Sequence, residues 1–83
     1  MMRYLIVCNS LTKAQRTERA LARVGIPSRV GRAPKEAETA GCSYAVQIGE
    51  RHLSSALVTL AKSDLTPRRV FLQTGDGYRE VEL

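Results

Sequence analysis

Residues 43–63, SYAVQIGERHLSSALVTLAKS, hold two periods back to back, and the change from one to the other decides the fold. From 43 to 48 the chain alternates: Tyr44, Val46 and Ile48 point one way, and Ser43, Ala45 and Gln47 the other. Alternation of this kind is a half-buried strand. From 50 to 63 the apolar residues Leu53, Ala56, Leu57, Leu60 and Ala61 fall on one stripe at helical spacing. Thr66-Pro67 ends that helix.

Working outward, the same grammar occurs on the N-terminal side. Residues 3–8, Arg-Tyr-Leu-Ile-Val-Cys, are a short β-forming run, followed by N-cap chemistry at Asn9-Ser10. Residues 11–24 read as a helix with Ala14, Thr17, Ala20, Leu21 and Val24 on its inner face, stopped by Gly25 and Pro27. Residues 27–32 form a short strand, and 33–42 a long polar loop without a period. On the C-terminal side, 68–73 read as a strand, Gly75-Asp76-Gly77 as a turn, and 78–82 as a short edge strand or tail. The order β-α-β-β-α-β predicts an α+β, ferredoxin-like two-layer sandwich. Both helices lie on one face of an antiparallel sheet of order 4-1-3-2.

Residues 1–83 make one domain. A chain of this size buries only about 60–65% of its unfolded surface, which leaves little room for a deep cofactor pocket. With four aromatic residues (Tyr4, Tyr44, Phe71, Tyr78), the core rests on Leu, Val, Ile and Ala. Met1-Met2-Arg3 precedes an apolar run too short for a secretory or membrane segment, so the chain reads as cytoplasmic, without a membrane role. Thirteen Lys and Arg against eight Asp and Glu give a net charge of +5, dispersed rather than blocked. Such a surface suits anionic ligands or acidic partners, and equally plain solubility.

The expected topology gathers residues that are far apart in sequence. The C-terminal end of the first strand lies beside the N-terminal end of the third, so Cys8 and Cys42 should share one rim of the sheet. Ser10, Arg32, Lys35, Arg68 and Arg69 fall on the same rim and are the candidate anion- or partner-binding residues. A cysteine with pKa about 8.5 is only about 3% thiolate at pH 7. A cation about 6 Å away at an effective dielectric near 20 favours the anion by on the order of 1–3 kcal/mol before screening. One well-placed Lys or Arg would therefore make Cys42 a nucleophile.

Blander readings stand beside these. Cys8 sits in an apolar strand, where cysteine commonly acts as a small hydrophobe. Cys42, between Gly41 and Ser43 in a polar loop, is harder to explain as core filling. His52 has no Cys or His at metal-ligand spacing, so no metal site is expected. No nucleophilic triad, phosphate loop or dinucleotide fingerprint appears, so no cofactor is expected and a carrier or binding role is favoured over an enzyme. Tyr4 and Tyr44 lie on the strands that stack bases in RNA-recognition domains, but Tyr44 is in phase with the core-facing Val46 and Ile48, which weighs against nucleic acid.

The sequence resembles the selenium/sulfur (Se/S) carrier protein-like family of small bacterial proteins. The resemblance runs through Tyr4-Leu5-Ile6-Val7, Ala20-Leu21, Gly25-Ile26-Pro27 and Pro34-Lys35-Glu36 to Cys42. The family usually has glycine after the cysteine, whereas here Ser43 follows and Gly41 precedes. The resemblance implies that Cys42 carries sulfur or selenium as a persulfide or selenosulfide between donor and acceptor proteins. Cys8 would act as a resolving thiol or stand by, and Pro34 and Lys35 would shape the loop.

Two other classes compete. One is a regulatory or interaction module, with a homodimer formed through an outer sheet face of Arg3, Leu5, Val7 and Ala45. The other is a redox sensor pairing Cys8 with Cys42.

Overall fold

In the computed structural model, which describes residues 2–37 and 43–82, the local signals become nine short elements. They are β1 (Arg3–Cys8), α1 (Leu11–Arg23), β2 (Arg29–Arg32), a 3₁₀ turn (Lys35–Ala37) and β3 (Tyr44–Gly49). A second 3₁₀ turn (Glu50–His52) then leads into α2 (Leu53–Lys62), β4 (Arg69–Thr74) and β5 (Gly77–Val81). The strands form one sheet in the order β2-β3-β1-β4-β5, and every neighbouring pair is antiparallel. This is an α+β two-layer sandwich with two helices on one face.

The sheet differs in detail from the four-stranded expectation, because β5 is a full strand added outside β4. Thr74 pairs with Gly77 across the two-residue turn Gly75-Asp76. The Thr74 hydroxyl fixes that turn: it donates to the Gly77 carbonyl at 3.3 Å and accepts from the Asp76 N–H at 3.3 Å. Gly77 has φ +143°, a conformation that side chains disfavour. Arg69 then ties the hairpin together through two hydrogen bonds to Glu80, at 2.9 and 3.0 Å.

The helices start and stop for identifiable reasons. Ser10 caps α1 in extended geometry, its Oγ accepting from the Lys13 N–H at 3.1 Å. At the other end Gly25 takes φ +79°, and the N–H groups of Gly25 and Ile26 return to the carbonyls of Ala22 and Leu21. This closure corrects one expectation: Val24 is 56% exposed, and Ile26, beyond the glycine, enters the core instead. α2 closes in the same manner with Asp64, at φ 56°, in the glycine position and Leu65 turned inward. The helix therefore ends before Thr66-Pro67 is reached. Its inner stripe is also narrower than expected: Ala56 and Leu60 are buried, while Ala61 is exposed.

Two apolar clusters sandwich the sheet. On the helix side Ile6, Cys8, Val46, Ile48 and Val70 meet Ala14, Leu21, Ala56 and Leu60, with Tyr4 and Tyr44 packed at the margin. The opposite face holds Leu5, Ala45 and Phe71, covered by Ala37 of the first 3₁₀ turn, which is 0% exposed. The expected open apolar face is thus sealed by its own chain. Leu5 and Ala45, on which the homodimer expectation was built, are 6% and 4% exposed.

Candidate functional site

β1 runs through the centre of the sheet and ends at Cys8, where α1 begins. A helix that starts directly after a central strand must bring its first turn to the rim of the sheet. Lys13 and Thr17, one turn apart, therefore flank Cys8. Together with Ile6, Val7, Asn9, Ser43, Leu65, Pro67, Arg68 and Arg69 they line a pocket of about 260 Å³. The buried lining is apolar at Ile6, Cys8, Leu65 and Pro67 and polar at Thr17 and Ser43. The basic groups come from α1 and from the segment entering β4.

Cys8 is 5% exposed. Its Sγ lies 3.9 Å from the Ile6 carbonyl and 4.0 Å from the Thr17 Oγ1. The Thr17 hydroxyl, itself buried, donates to the Lys13 carbonyl at 2.9 Å. Burial pushes the Cys8 thiol above its ordinary range, and the Thr17 hydrogen bond and the Lys13 charge oppose that shift without reversing it. Cys8 is consequently a neutral thiol at pH 7, a poor nucleophile set in the wall of a basic pocket.

The other expected rim residues separate. Arg68 is exposed and lines the pocket. Arg69 lines it as well, but its guanidinium is spent: it makes the paired contact to Glu80 and lies 4.9 Å from the centroid of the Phe71 ring. That contact raises the Arg69 pKa and lowers that of Glu80. Ser10 is occupied in capping α1 and does not line the pocket. Arg32 ends β2 and borders a separate depression of about 230 Å³ with Leu5, Arg29 and Tyr78. Lys35 opens the 3₁₀ turn that covers the outer face. Cys42, the expected carrier thiol, lies outside the described residues, and with it the expected Cys8–Cys42 pairing.

Sequence reading missed Lys13 as a rim cation. The signal was present, since Lys13 stands three residues after the cap at Ser10, in the first turn of a helix whose start faces the rim. Tyr4 and Tyr44 pack against the helix-side cluster, so neither offers its ring on the outer face where bases would stack. Among the described residues no group of three His, Cys, Asp or Glu side chains could hold a metal ion. No helix among them is long and apolar enough to cross a membrane.

Fold and pocket together define a class: a small two-layer α+β protein with a thiol at one rim of its sheet, beside Lys13 and Arg68, which make no ion pair among the described residues. The chain belongs to the family described as "Putative Se/S carrier protein-like", whose model matches residues 3–72. No curated protein and no solved structure matches it.

Proposed function

We propose that this protein is a sulfur or selenium carrier in which Cys42 takes up the chalcogen as a persulfide or selenosulfide and passes it on. Family membership over residues 3–72 carries this reading. Two observations and a general property of thiols support it. Ser43, bonded to Cys42 in the chain, lines the rim pocket with Lys13 and Arg68. Cations near a cysteine lower its pKa and raise its thiolate fraction. Burial raises the pKa of the other thiol, Cys8, which makes it the weaker candidate for the carrier role.

The chemistry is ordinary exchange. The Cys42 thiolate attacks the outer sulfur of a donor persulfide, an S–S bond forms, and the donor's inner sulfur leaves as thiolate with its electron pair. The outer proton stays on the transferred sulfur. An acceptor nucleophile then removes that sulfur and returns Cys42 to thiolate, so no external oxidant or reductant is required. Such a carrier works on an exposed surface and needs no deep cavity, which suits a thin two-layer domain. The βαββαβ path, extended by β5, supports the ferredoxin-like assignment. Donor and acceptor proteins are the partners this reading requires, in a cytoplasmic setting.

The test is intact-mass analysis after incubation with a cysteine persulfide donor, followed by reductant. The reading expects a gain of one sulfur atom on Cys42, reversed by reductant and abolished in Cys42→Ser. A donor that loads other carrier thiols but leaves Cys42 unmodified refutes it.

A further inference from the structure

We propose that the rim pocket beside Cys8 binds a small sulfur or selenium oxyanion of the thiosulfate type, held by Lys13 and Arg68. The choice of chalcogen rests on the carrier reading, whereas the binding itself rests on the pocket.

Charge is the first argument. Three basic side chains line the pocket, and no Asp or Glu among the described residues does. Arg69 is neutralised by Glu80. Lys13 and Arg68 make no ion pair among the described residues, so two positive charges border one cavity without compensation. The start of α1 adds the positive end of a helix dipole on the same side. The neutral Cys8 thiol brings no competing negative charge.

Size and wall chemistry narrow the class. A water occupies about 30 Å³ of liquid, so a pocket of about 260 Å³ has room for one small oxyanion with part of its hydration shell. The buried lining joins apolar Ile6, Leu65 and Pro67 and the polarisable sulfur of Cys8 to the polar Thr17 and Ser43. The apolar part of that lining cannot replace hydration around a uniformly hydrophilic anion such as sulfate. Thiosulfate and its selenium analogue differ in having one soft, weakly hydrated chalcogen end and one sulfonate end. The soft end matches the side formed by Ile6, Cys8, Leu65 and Pro67, and the sulfonate matches Lys13 and Arg68. The pocket would then hold a chalcogen-bearing anion beside the residue bonded to Cys42.

The experiment is an NMR titration of the full-length, isotope-labelled Cys42→Ser protein with sodium thiosulfate at fixed ionic strength, with sulfate and chloride as parallel arms. Using Cys42→Ser separates binding from transfer. The proposal expects saturable shifts in the amides of Asn9, Lys13 and Arg68, and thiosulfate affinity about ten-fold or more above that for sulfate. Combining Lys13→Gln with Arg68→Gln should weaken binding about ten-fold or more. Arg19→Gln, in the groove on the far side of α1, should leave it unchanged. Amide shifts away from the rim confirm that each variant is folded. Shifts no larger than those with chloride, equal affinity for sulfate, or binding that survives the double substitution would overturn the proposal. Binding here without any Cys42 adduct in the native protein sinks the carrier reading alone. An adduct without binding sinks the oxyanion site alone.

Discussion

Replacing Phe71 with alanine tests whether the outer face of the sheet is closed by the chain itself. Phe71 is 4% exposed and pairs across the sheet with Leu5 on β1 and Glu80 on β5. Ala37 of the 3₁₀ turn packs over the same cluster, and the Arg69 guanidinium lies against the ring. Burying a phenyl side chain contributes about 1.5–3 kcal/mol by transfer alone. The hole left by truncation brings the loss to about 3–5 kcal/mol. The short 3₁₀ turn can settle partly into that hole, so the lower end, about 3 kcal/mol, is expected. At about 0.05–0.15 kcal/mol per residue, an 83-residue chain has only about 4–12 kcal/mol in total. The melting temperature should therefore fall by about 12–24 °C. Urea unfolding followed by circular dichroism, with the thermal melt as a second measurement, reads the change. If the face were open to solvent, the ring would be half exposed already and its loss would cost about 1 kcal/mol or less. A value that small, with an unchanged urea slope, would refute the sealed face and restore an apolar surface free for self-association.

Two further outcomes are expected. The raised pKa of Cys8 means that the folded state holds its thiol proton more tightly than the unfolded chain does. Its contribution to stability is therefore full below the ordinary cysteine pKa of about 8.5 and is lost as pH rises beyond it. Cys8→Ala should flatten that alkaline decline in urea unfolding, and an unaltered decline would show that the thiol is not held neutral. Glu80→Gln should release the Arg69 guanidinium and speed amide exchange across β5, because the paired bonds that fasten the hairpin are gone. The depressed pKa of Glu80 gives the same loosening in the native protein as pH falls through the carboxylate range. Exchange rates at Tyr78–Val81 insensitive to both changes would show that the ion pair contributes nothing to that edge.

Much of the layering was legible along the chain because it depends on local period. Tyr44, Val46 and Ile48 face the helices as their alternation requires, and Ala14, Thr17, Ala20 and Leu21 form the buried face of α1. The helix ends were less legible. Val24 continues the helical spacing, but the cap at Gly25 turns the chain so that Ile26 takes the inward place. Asp64 supplies a left-handed stop, a place that Asp takes more readily than most residues but far less often than glycine. β5 was ambiguous because a five-residue edge strand carries a weak period. What fixes it is a pairing with β4 and the Arg69–Glu80 contact, both of them relations between segments.

The candidate site divides in the same way. The sequence alone determined which residues could do chemistry, two thiols and a surplus of cations, and it determined the family through motifs spaced along most of the chain. It also determined that Cys8 ends a strand and that Ser10 opens a helix, since both follow from neighbours a few residues away. Only the tertiary structure decided that Arg69 is silenced by Glu80, that Arg32 borders another depression, and that Lys13 and Arg68 meet beside a buried thiol. It alone brought Ala37 down over the outer face. The physical reason is that period and capping are short-range properties of the backbone. Charge compensation and burial are set instead by whichever distant segment the sheet brings alongside.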